Sequence, residues 1–330
     1  MTEKIAVMIC GHGSRDDAAV EEFNTLAVHM RKRLPQYDVE SGFLEFATPV
    51  IRSGLDKLVD RGAEKIVCLP GMLFAAGHVK NDLPSEINGF ARQHDGLDVV
   101  FGRELAIDAK LLAAARDRIE EAEAQANTDA GATIARDDTL LMVVGRGTND
   151  SDANSNVCKV ARMLWEGMGF GWAEVSYSGV AYPLVDAGMK NAVKLGYKRI
   201  IVFPYFLFTG ILVRRIYAWA DEAAAANPDV QVVNASYLND HEQLLDCFVD
   251  RVDEALNGTN NMNCQLCKYR EQIIGYEGDQ GAAQVGHHHH VMGIGTDGHG
   301  ADDHGVHHGH HHHGHDHGHG HHHGDGLDKK

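Results

Sequence analysis

Three residues in the first half of the chain carry side chains that can bind a metal ion or transfer a proton. His12 lies in the stretch CGHGSRDD, Glu45 lies in FLEFATP, and His78 lies in LFAAGHVKNDLP. Two imidazoles and a carboxylate form a donor set suited to a divalent first-row transition metal. The same groups could act as a general base and its neighbours. Taken singly, each could instead be structural, as a hydrogen-bonded histidine or a solvated charge at a strand end.

Each of these stretches contains or follows an apolar run that predicts a buried strand. The predicted strands cover residues 4–10, 39–46, 65–73 and 98–105. Helices are predicted between and after them, at 16–34, at 49–61, from about residue 79, and at 108–126. Strands alternating with helices of this length form parallel sheets that are covered on both faces. Because ligands bind at the carboxyl ends of such strands, we expect His12, Glu45 and His78 at one edge of one sheet.

The second half of the chain repeats the first without a gap, at one constant offset that matches Pro49 with Pro183 and Pro70 with Pro204. The first-half residues that are identical to their counterparts at this offset include Gly11, Gly13, Asp16, Glu40, Ala47, Pro49, Gly54, Gly62, Ile66, Pro70, Phe74 and Val79. The sequence therefore predicts a duplicated α/β domain, with a polar joint at residues 127–138.

The duplication provides an internal control, since features shared by both copies favour a role in the fold. Three chemically capable residues occur in the first copy alone: His12 becomes Arg146, Glu45 becomes Gly179, and His78 becomes Leu212. The glycines and the helix-capping positions around His12 persist in the second copy, so capping does not explain the histidine. The stretch GHGS could also be a phosphate loop, but it lacks the GxxxxGK[ST] pattern and the GxGxxG spacing.

These residues resemble a known family, the sirohydrochlorin cobaltochelatases. The resemblance rests on GHGSRDD after the first strand, FLEFATP at the end of the second and LFAAGHVKNDLP after the third. Members of this family are class II chelatases, which insert Co²⁺ into the tetrapyrrole sirohydrochlorin during cobalamin synthesis. The resemblance covers essentially the whole chain and is greatest to the long form, with two chelatase-like domains, an MxCxxC motif and a histidine-rich tail.

The resemblance implies two tandem homologous chelatase-like domains, each a parallel sheet flanked by helices, at residues 1–128 and 139–257. It implies that His12 and His78 bind the metal, that His12 accepts a proton, and that the second domain, whose own site is degenerate, closes over the macrocycle. The residues expected to contact the substrate are Glu45, Leu73, Phe74, Ala75, Ala76, Gly77 and His78. Because sirohydrochlorin carries many carboxylates, a positive lining is expected, and the candidates are Lys80, Arg146, Arg214 and Arg215, each of which could equally be an ordinary surface charge.

Cys264 and Cys267 form a CxxC pair in a segment at residues 258–286. The residues alone indicate a metal or redox site, whereas the resemblance implies an iron–sulfur centre. Two thiolates cannot complete a four-cysteine cluster, so Cys158 or Cys247 could contribute, or a homodimer could join two pairs. The other cysteines read as single reduced thiols, which favours a cytoplasmic protein.

The C-terminal tail, residues 287–330, holds 18 of the 23 histidines, interleaved with glycine and aspartate. This composition cannot bury a core, so we expect the tail to be disordered without metal and to store divalent ions. An expression tag is the alternative, although tags are usually uniform. The histidine runs of the tail comprise His287, His288, His289, His290, His310, His311, His312 and His313.

Overall composition limits the partners. The net charge of −17 argues against nucleic acid and anionic membranes as main partners. No run of about 20 apolar residues is present, and the N-terminus lacks a signal-peptide pattern. The leading hypothesis is ATP-independent cobalt insertion into sirohydrochlorin, and no nucleotide is expected. The rival hypotheses are iron or nickel insertion into the same ring, and a metal-storage or metallochaperone protein.

Overall fold

Two four-stranded parallel sheets make up the computed structural model, which describes residues 3–260 and 277–279. The first half contains β1 (Ile5–Gly11), α1 (Asp17–Arg33), β2 (Asp38–Phe43), α2 (Ile51–Asp60), β3 (Lys65–Pro70), a π-helical turn (His78–Asp82), α3 (Leu83–Ala91), β4 (Asp98–Phe101) and α4 (Ala109–Ala130). The second half contains a 3₁₀ turn (Arg136–Asp138), β5 (Thr139–Gly145), α5 (Ser151–Met168), β6 (Trp172–Tyr177), α6 (Val185–Lys194), β7 (Arg199–Pro204), α7 (Ile211–Ala226), β8 (Gln231–Asn234) and α8 (Glu242–Asn257). A further 3₁₀ turn spans Glu277–Asp279.

The two sheets have the same strand order and the same register. The orders are β2-β1-β3-β4 and β6-β5-β7-β8. Met8 pairs with Glu40 and Cys68, and Met142, its counterpart in the second half, pairs with the corresponding Glu174 and Val202. The predicted fold of two homologous parallel sheets flanked by helices is therefore confirmed. The tail at residues 287–330 and the pair Cys264 and Cys267 lie outside the described residues.

Strands β2, β3 and β4 end earlier than their apolar runs suggested, and for β2 the difference matters for the site. Strand β2 ends at Phe43, two residues before Glu45. The chain turns there because Phe46 has a left-handed backbone, with φ of 63°. Val180, its counterpart, has φ of 64°, so the turn belongs to the fold shared by both halves. Glu45 therefore lies on a turn beyond the strand.

The last helix of each half packs against the sheet of the other half. Helix α4 contacts β7 and β8, whereas α8 contacts β3 and α1. The buried guanidinium of Arg251 on α8 donates to the carbonyl oxygens of Glu104 and Leu105 and to the carboxylate of Asp108. These bonds fix α8 to the segment that leads from β4 into α4.

Because α4 and α8 each pack on the sheet of the other half, the two halves share a hydrophobic core. One continuous core joins both sheets through α1, α4, α5 and α8, with Phe23, Leu111, Leu164 and Phe248 among its buried members. Separate clusters cover the outer faces, formed by α2 and α3 on the first sheet and by α6 and α7 on the second. The shared core holds the carboxyl edges of the two sheets in a fixed arrangement, because such interiors are close-packed.

Among the described residues, no helix combines the length and the hydropathy needed to span a bilayer.

Candidate metal centre

Main-chain hydrogen bonds bring the loops after β1 and β2 together. The amide of Leu44 donates to the carbonyl of Gly11 at 2.8 Å, and the amide of Glu45 donates to that of His12 at 3.0 Å. Gly13 makes the approach possible, since it has φ of +98° and a Cβ there would lie 1.7 Å from the carbonyl oxygen of Glu45. The ladder between β1 and β2 thus continues past the strands and fixes Glu45 beside His12.

His12, Glu45 and His78 converge as the sequence predicts, although their chemical roles remain proposals. One ligand atom from each lies within 4.8 Å of the others. The Nε2 atoms of the two histidines are 3.0 Å apart, and His12 Nε2 lies 3.5 Å from Glu45 Oε1. The histidines are half-buried, whereas Glu45 is only 3% exposed and so is not the solvated strand-end charge that its sequence position allowed.

The Nδ1 partners of the two histidines fix which nitrogen faces the cluster. His12 Nδ1 lies 2.8 Å from the carbonyl oxygen of Gly13, and His78 Nδ1 lies 2.8 Å from Asp82 Oδ2. Both oxygens accept hydrogen bonds, so each Nδ1 carries the proton and donates it. In the neutral rings neither Nε2 then carries a proton, so two lone pairs lie close together and a cation bound by both nitrogens would stabilise the arrangement.

The spacing suits a transition metal ion. With metal–nitrogen bonds of about 2.1 Å, two ligands at right angles are about 3.0 Å apart, which matches the measured Nε2 separation. Glu45 adds a negative oxygen donor from a buried position, so the cluster can offset part of the charge of a divalent ion. The arrangement can hold such an ion and can also accept protons, because imidazole does both near neutral pH.

The π-helical turn His78–Asp82 adds a residue that the sequence analysis missed. Asp82 is 3% exposed, and its second carboxylate oxygen accepts a bond of 2.9 Å from Asn81 Nδ2. A carboxylate on the distal nitrogen of a metal-binding histidine orients the ring and makes it a better donor. The sequence could have indicated this pair, because Asp82 follows His78 by four residues at the start of a predicted helix, and side chains at that spacing meet on one helix face.

Lys80 lies on the same turn, and the sequence made it a candidate for a positive lining of the substrate site, but its charge is paired inside the protein. It is 3% exposed and donates to Asp150 Oδ2 at 2.8 Å and to Asp152 Oδ2 at 3.3 Å, both in the second half. Burial lowers the pKa of Lys80, but the bonds and charges of the two aspartates outweigh it and raise the pKa. Lys80 therefore ties the turn that carries His78 to the N-terminus of α5.

The remaining substrate-contact candidates differ in accessibility. Leu73 and Phe74 are half-buried against the shared core, where the ring of Phe74 stacks on Tyr205 with centroids 5.8 Å apart. Ala75 is 2% exposed, whereas Ala76 and Gly77 are partly exposed. A Cβ on Gly77 would meet no atom within 4 Å, so open space adjoins the chain next to His78.

The comparisons with known proteins agree with this geometry. The CbiX family model matches residues 6–122 and again residues 140–255. The chain belongs to the CbiX family. The sirohydrochlorin cobaltochelatase of Priestia megaterium is 34% identical over 274 residues, which cover 82% of this chain and 86% of the relative. The predicted resemblance to the sirohydrochlorin cobaltochelatases is thereby confirmed.

Relatives within the same comparison differ in the metal that their names give. The sirohydrochlorin ferrochelatase of Priestia megaterium is 28% identical, over 78% of this chain and 92% of its own length. The crystal structure of the sirohydrochlorin chelatase SirB from Bacillus subtilis subspecies spizizenii in complex with cobalt has a TM-score of 0.64 at 25% identity, over 76% of this chain and 95% of SirB. Both copies of the CbiX unit in this chain thus belong to a family of tetrapyrrole chelatases.

Removing the Asp82 carboxylate is expected to weaken metal binding without removing a ligand. Asp82→Ala should lower the affinity for Co²⁺ by about 10- to 100-fold, because His78 loses the group that orients it. Asp82→Asn should lose less, since the amide oxygen still accepts the Nδ1 proton. Titration of the full chain with Co²⁺, alongside thermal unfolding, separates this effect from lost stability. A folded Asp82→Ala variant with wild-type affinity would contradict the orienting role.

Proposed function

We propose that this CbiX-family protein inserts Co²⁺ into sirohydrochlorin without ATP, as a step in cobalamin biosynthesis. The observation that carries the proposal is the pair of imidazole Nε2 atoms 3.0 Å apart beside a buried carboxylate, at the carboxyl edge of a parallel sheet. The cobaltochelatase name of a relative that is 34% identical supports the substrate and the metal. In this proposal Co²⁺ is a substrate that the site holds and then gives up.

The donor set fits a transfer reaction better than permanent storage. Imidazole binds first-row metals less durably than thiolate does, so the ion can leave for the ring nitrogens. Insertion forms bonds from Co²⁺ to the ring nitrogens, breaks its bonds to the protein ligands, and releases two pyrrole N–H protons. Each Nε2 that loses the metal regains a lone pair, so His12 and His78 are the bases that lie nearest to accept those protons. We assign His12 as the principal acceptor, because Glu45 Oε1 lies 3.5 Å from His12 Nε2, the atom that would receive the proton, whereas the carboxylate beside His78 contacts its Nδ1.

Insertion of iron is the second candidate, because relatives named ferrochelatases are 28% and 27% identical over most of their length. The ligands His12, Glu45 and His78 do not discriminate strongly, since nitrogen and oxygen donors bind the late first-row metals in the general order of their intrinsic affinities. That order places nickel above cobalt and iron. Metal choice therefore has to be measured as a rate for each ion.

The test is anaerobic metal insertion by the full chain, followed through the absorbance of the tetrapyrrole. Co²⁺, Fe²⁺ and Ni²⁺ are compared at equal free concentration, each against a reaction that contains metal and sirohydrochlorin without protein. We expect Co²⁺ to be inserted fastest. Faster insertion of Fe²⁺ would favour the second candidate. Rates equal to the protein-free background for every metal, with Co²⁺ still bound by the chain, would favour metal storage.

A further inference from the structure

The edge of the second sheet has the opposite charge character from the metal centre of the first. At the corresponding positions of the second half, Arg146 replaces His12, Gly179 replaces Glu45 and Leu212 replaces His78. Three potential metal ligands, a carboxylate and two imidazoles, are lost, and a guanidinium is gained. The backbone around these positions is shared between the copies, since Gly147 has φ of +82° and a Cβ there would lie 1.9 Å from the carbonyl oxygen of Gly179. The second site has therefore kept its shape and lost its donors.

A second guanidinium lies where the first half has its carboxylate. A Cβ built on Gly179 would be 3.7 Å from Nη2 of Arg215, so this arginine occupies the neighbourhood of a glutamate side chain. Arg215 donates to the carbonyl oxygen of Ser178 and lies over the ring of Trp219, with 5.1 Å from Cζ to the centroid. These contacts hold the guanidinium in place and leave its charge without an ion-pair partner among the described residues.

Arg146 is the arginine at this edge that is free to meet a ligand. Its side chain is exposed, and within residues 3–260 and 277–279 its guanidinium has no hydrogen bond or ion pair. The pKa of Arg146 is lowered, because partial desolvation outweighs the charge of Glu45, which acts in the opposite direction and shows that this arginine is within electrostatic reach of the metal centre. The other basic candidates are engaged, since Arg214 pairs with Asp16 and Lys80 pairs with Asp150.

We propose that Arg146 and Arg215 form a carboxylate-binding subsite on the second half, which holds a peripheral carboxylate of the tetrapyrrole while its ring nitrogens face His12 and His78. Guanidinium groups recognise carboxylates through paired, charge-assisted hydrogen bonds, which fix orientation as well as affinity. The second copy thus supplies the substrate anchor and the first copy supplies the chemistry. This inference rests on the proposed function in naming the tetrapyrrole as the anion.

The matched variants are Arg146→Gln, Arg215→Gln and, as a control, Arg116→Gln. Arg116 is an exposed arginine of α4 that pairs with Asp117, so the control removes the same charge at another place. The first measurement is binding of sirohydrochlorin to the metal-free protein. The second is titration with Co²⁺ alone, and the third is the KM for sirohydrochlorin at saturating Co²⁺.

We expect Arg146→Gln to weaken sirohydrochlorin binding and to raise the KM by about 10-fold or more, the effect of a lost hydrogen bond between charged groups. Arg215→Gln should act in the same direction, and Arg146→Lys should recover part of the loss. The Co²⁺ affinity should stay within about threefold of the wild type in these variants. After the carboxylates of the tetrapyrrole are esterified, the wild type and Arg146→Gln should bind it with similar affinity.

Two results would overturn the subsite. One is wild-type sirohydrochlorin binding by Arg146→Gln, and the other is a loss of Co²⁺ affinity as large as the loss of ring affinity. Failure of the proposed function would look different. The wild type would then bind sirohydrochlorin more tightly than Arg146→Gln but insert no metal, a result that supports the subsite and refutes the chelatase activity.

Discussion

Replacing either histidine of the metal centre by alanine is expected to lower the rate of Co²⁺ insertion by about 10²- to 10⁴-fold. His12→Ala and His78→Ala each remove one of two Nε2 donors that lie 3.0 Å apart, and each removes a base that would accept a pyrrole proton in the proposed reaction. Each variant should also bind Co²⁺ more weakly, because the remaining imidazole and Glu45 offer an incomplete set of ligands. Insertion followed by absorbance, with a Co²⁺ titration of the same samples, measures both effects.

His94→Ala is the control for the loss of an imidazole elsewhere. His94 stacks on Phe90, with ring centroids 4.1 Å apart, and its Nδ1 lies 3.0 Å from the carbonyl oxygen of Phe90. The control should keep the insertion rate of the wild type. If His12→Ala retained that rate while His78→Ala lost it, His12 would not be the proton acceptor, and the assignment of roles would fail.

Adding a methyl group at Gly13 is expected to destroy the metal centre and to destabilise the fold. Gly13→Ala would place Cβ 1.7 Å from the carbonyl oxygen of Glu45 at φ of +98°, so Glu45 and His12 must separate. A left-handed backbone at a residue other than glycine costs up to about 3 kcal/mol before the clash is counted. We expect the melting temperature to fall by several degrees and Co²⁺ binding to be lost.

Gly147→Ala offers a matched control, since it creates the same clash in the second half, at 1.9 Å from the carbonyl oxygen of Gly179. Both variants should lose similar stability, but Gly147→Ala should keep the Co²⁺ affinity of the wild type. Thermal unfolding and Co²⁺ titration of the pair test this separation. Equal loss of Co²⁺ affinity in both variants would show that the metal is not confined to the first half.

The duplication and the placement of the cluster can be predicted from the amino-acid pattern. The constant offset between the two halves is visible without coordinates, and both halves share one strand order and register. The convergence of His12, Glu45 and His78 followed from one rule, that parallel strands end at the same edge of their sheet. Because the second copy keeps the fold but lacks all three residues, they are candidates for a chemical role and are not required for folding.

The partners of the charged residues become visible in the folded chain and not before. Lys80 resembled a substrate-lining cation, but its partners are 70 and 72 residues away on the other half of the chain. Glu45 resembled a solvated charge, yet a turn beyond β2 buries it against His12. Local patterns cannot report such contacts, because burial and ion pairing depend on which segments the shared core brings together.

The exchange of α4 and α8 between the sheets is the clearest case of this kind. Periodicity predicts the helix that became α4, and the duplication implies a corresponding helix in the second half, but either helix could have covered its own sheet. The buried bonds of Arg251 to Glu104, Leu105 and Asp108 hold α8 on the first half. Sequence patterns fix local conformation and edge chemistry, whereas the choice between equivalent apolar faces depends on packing and on satisfying buried charges over the whole chain.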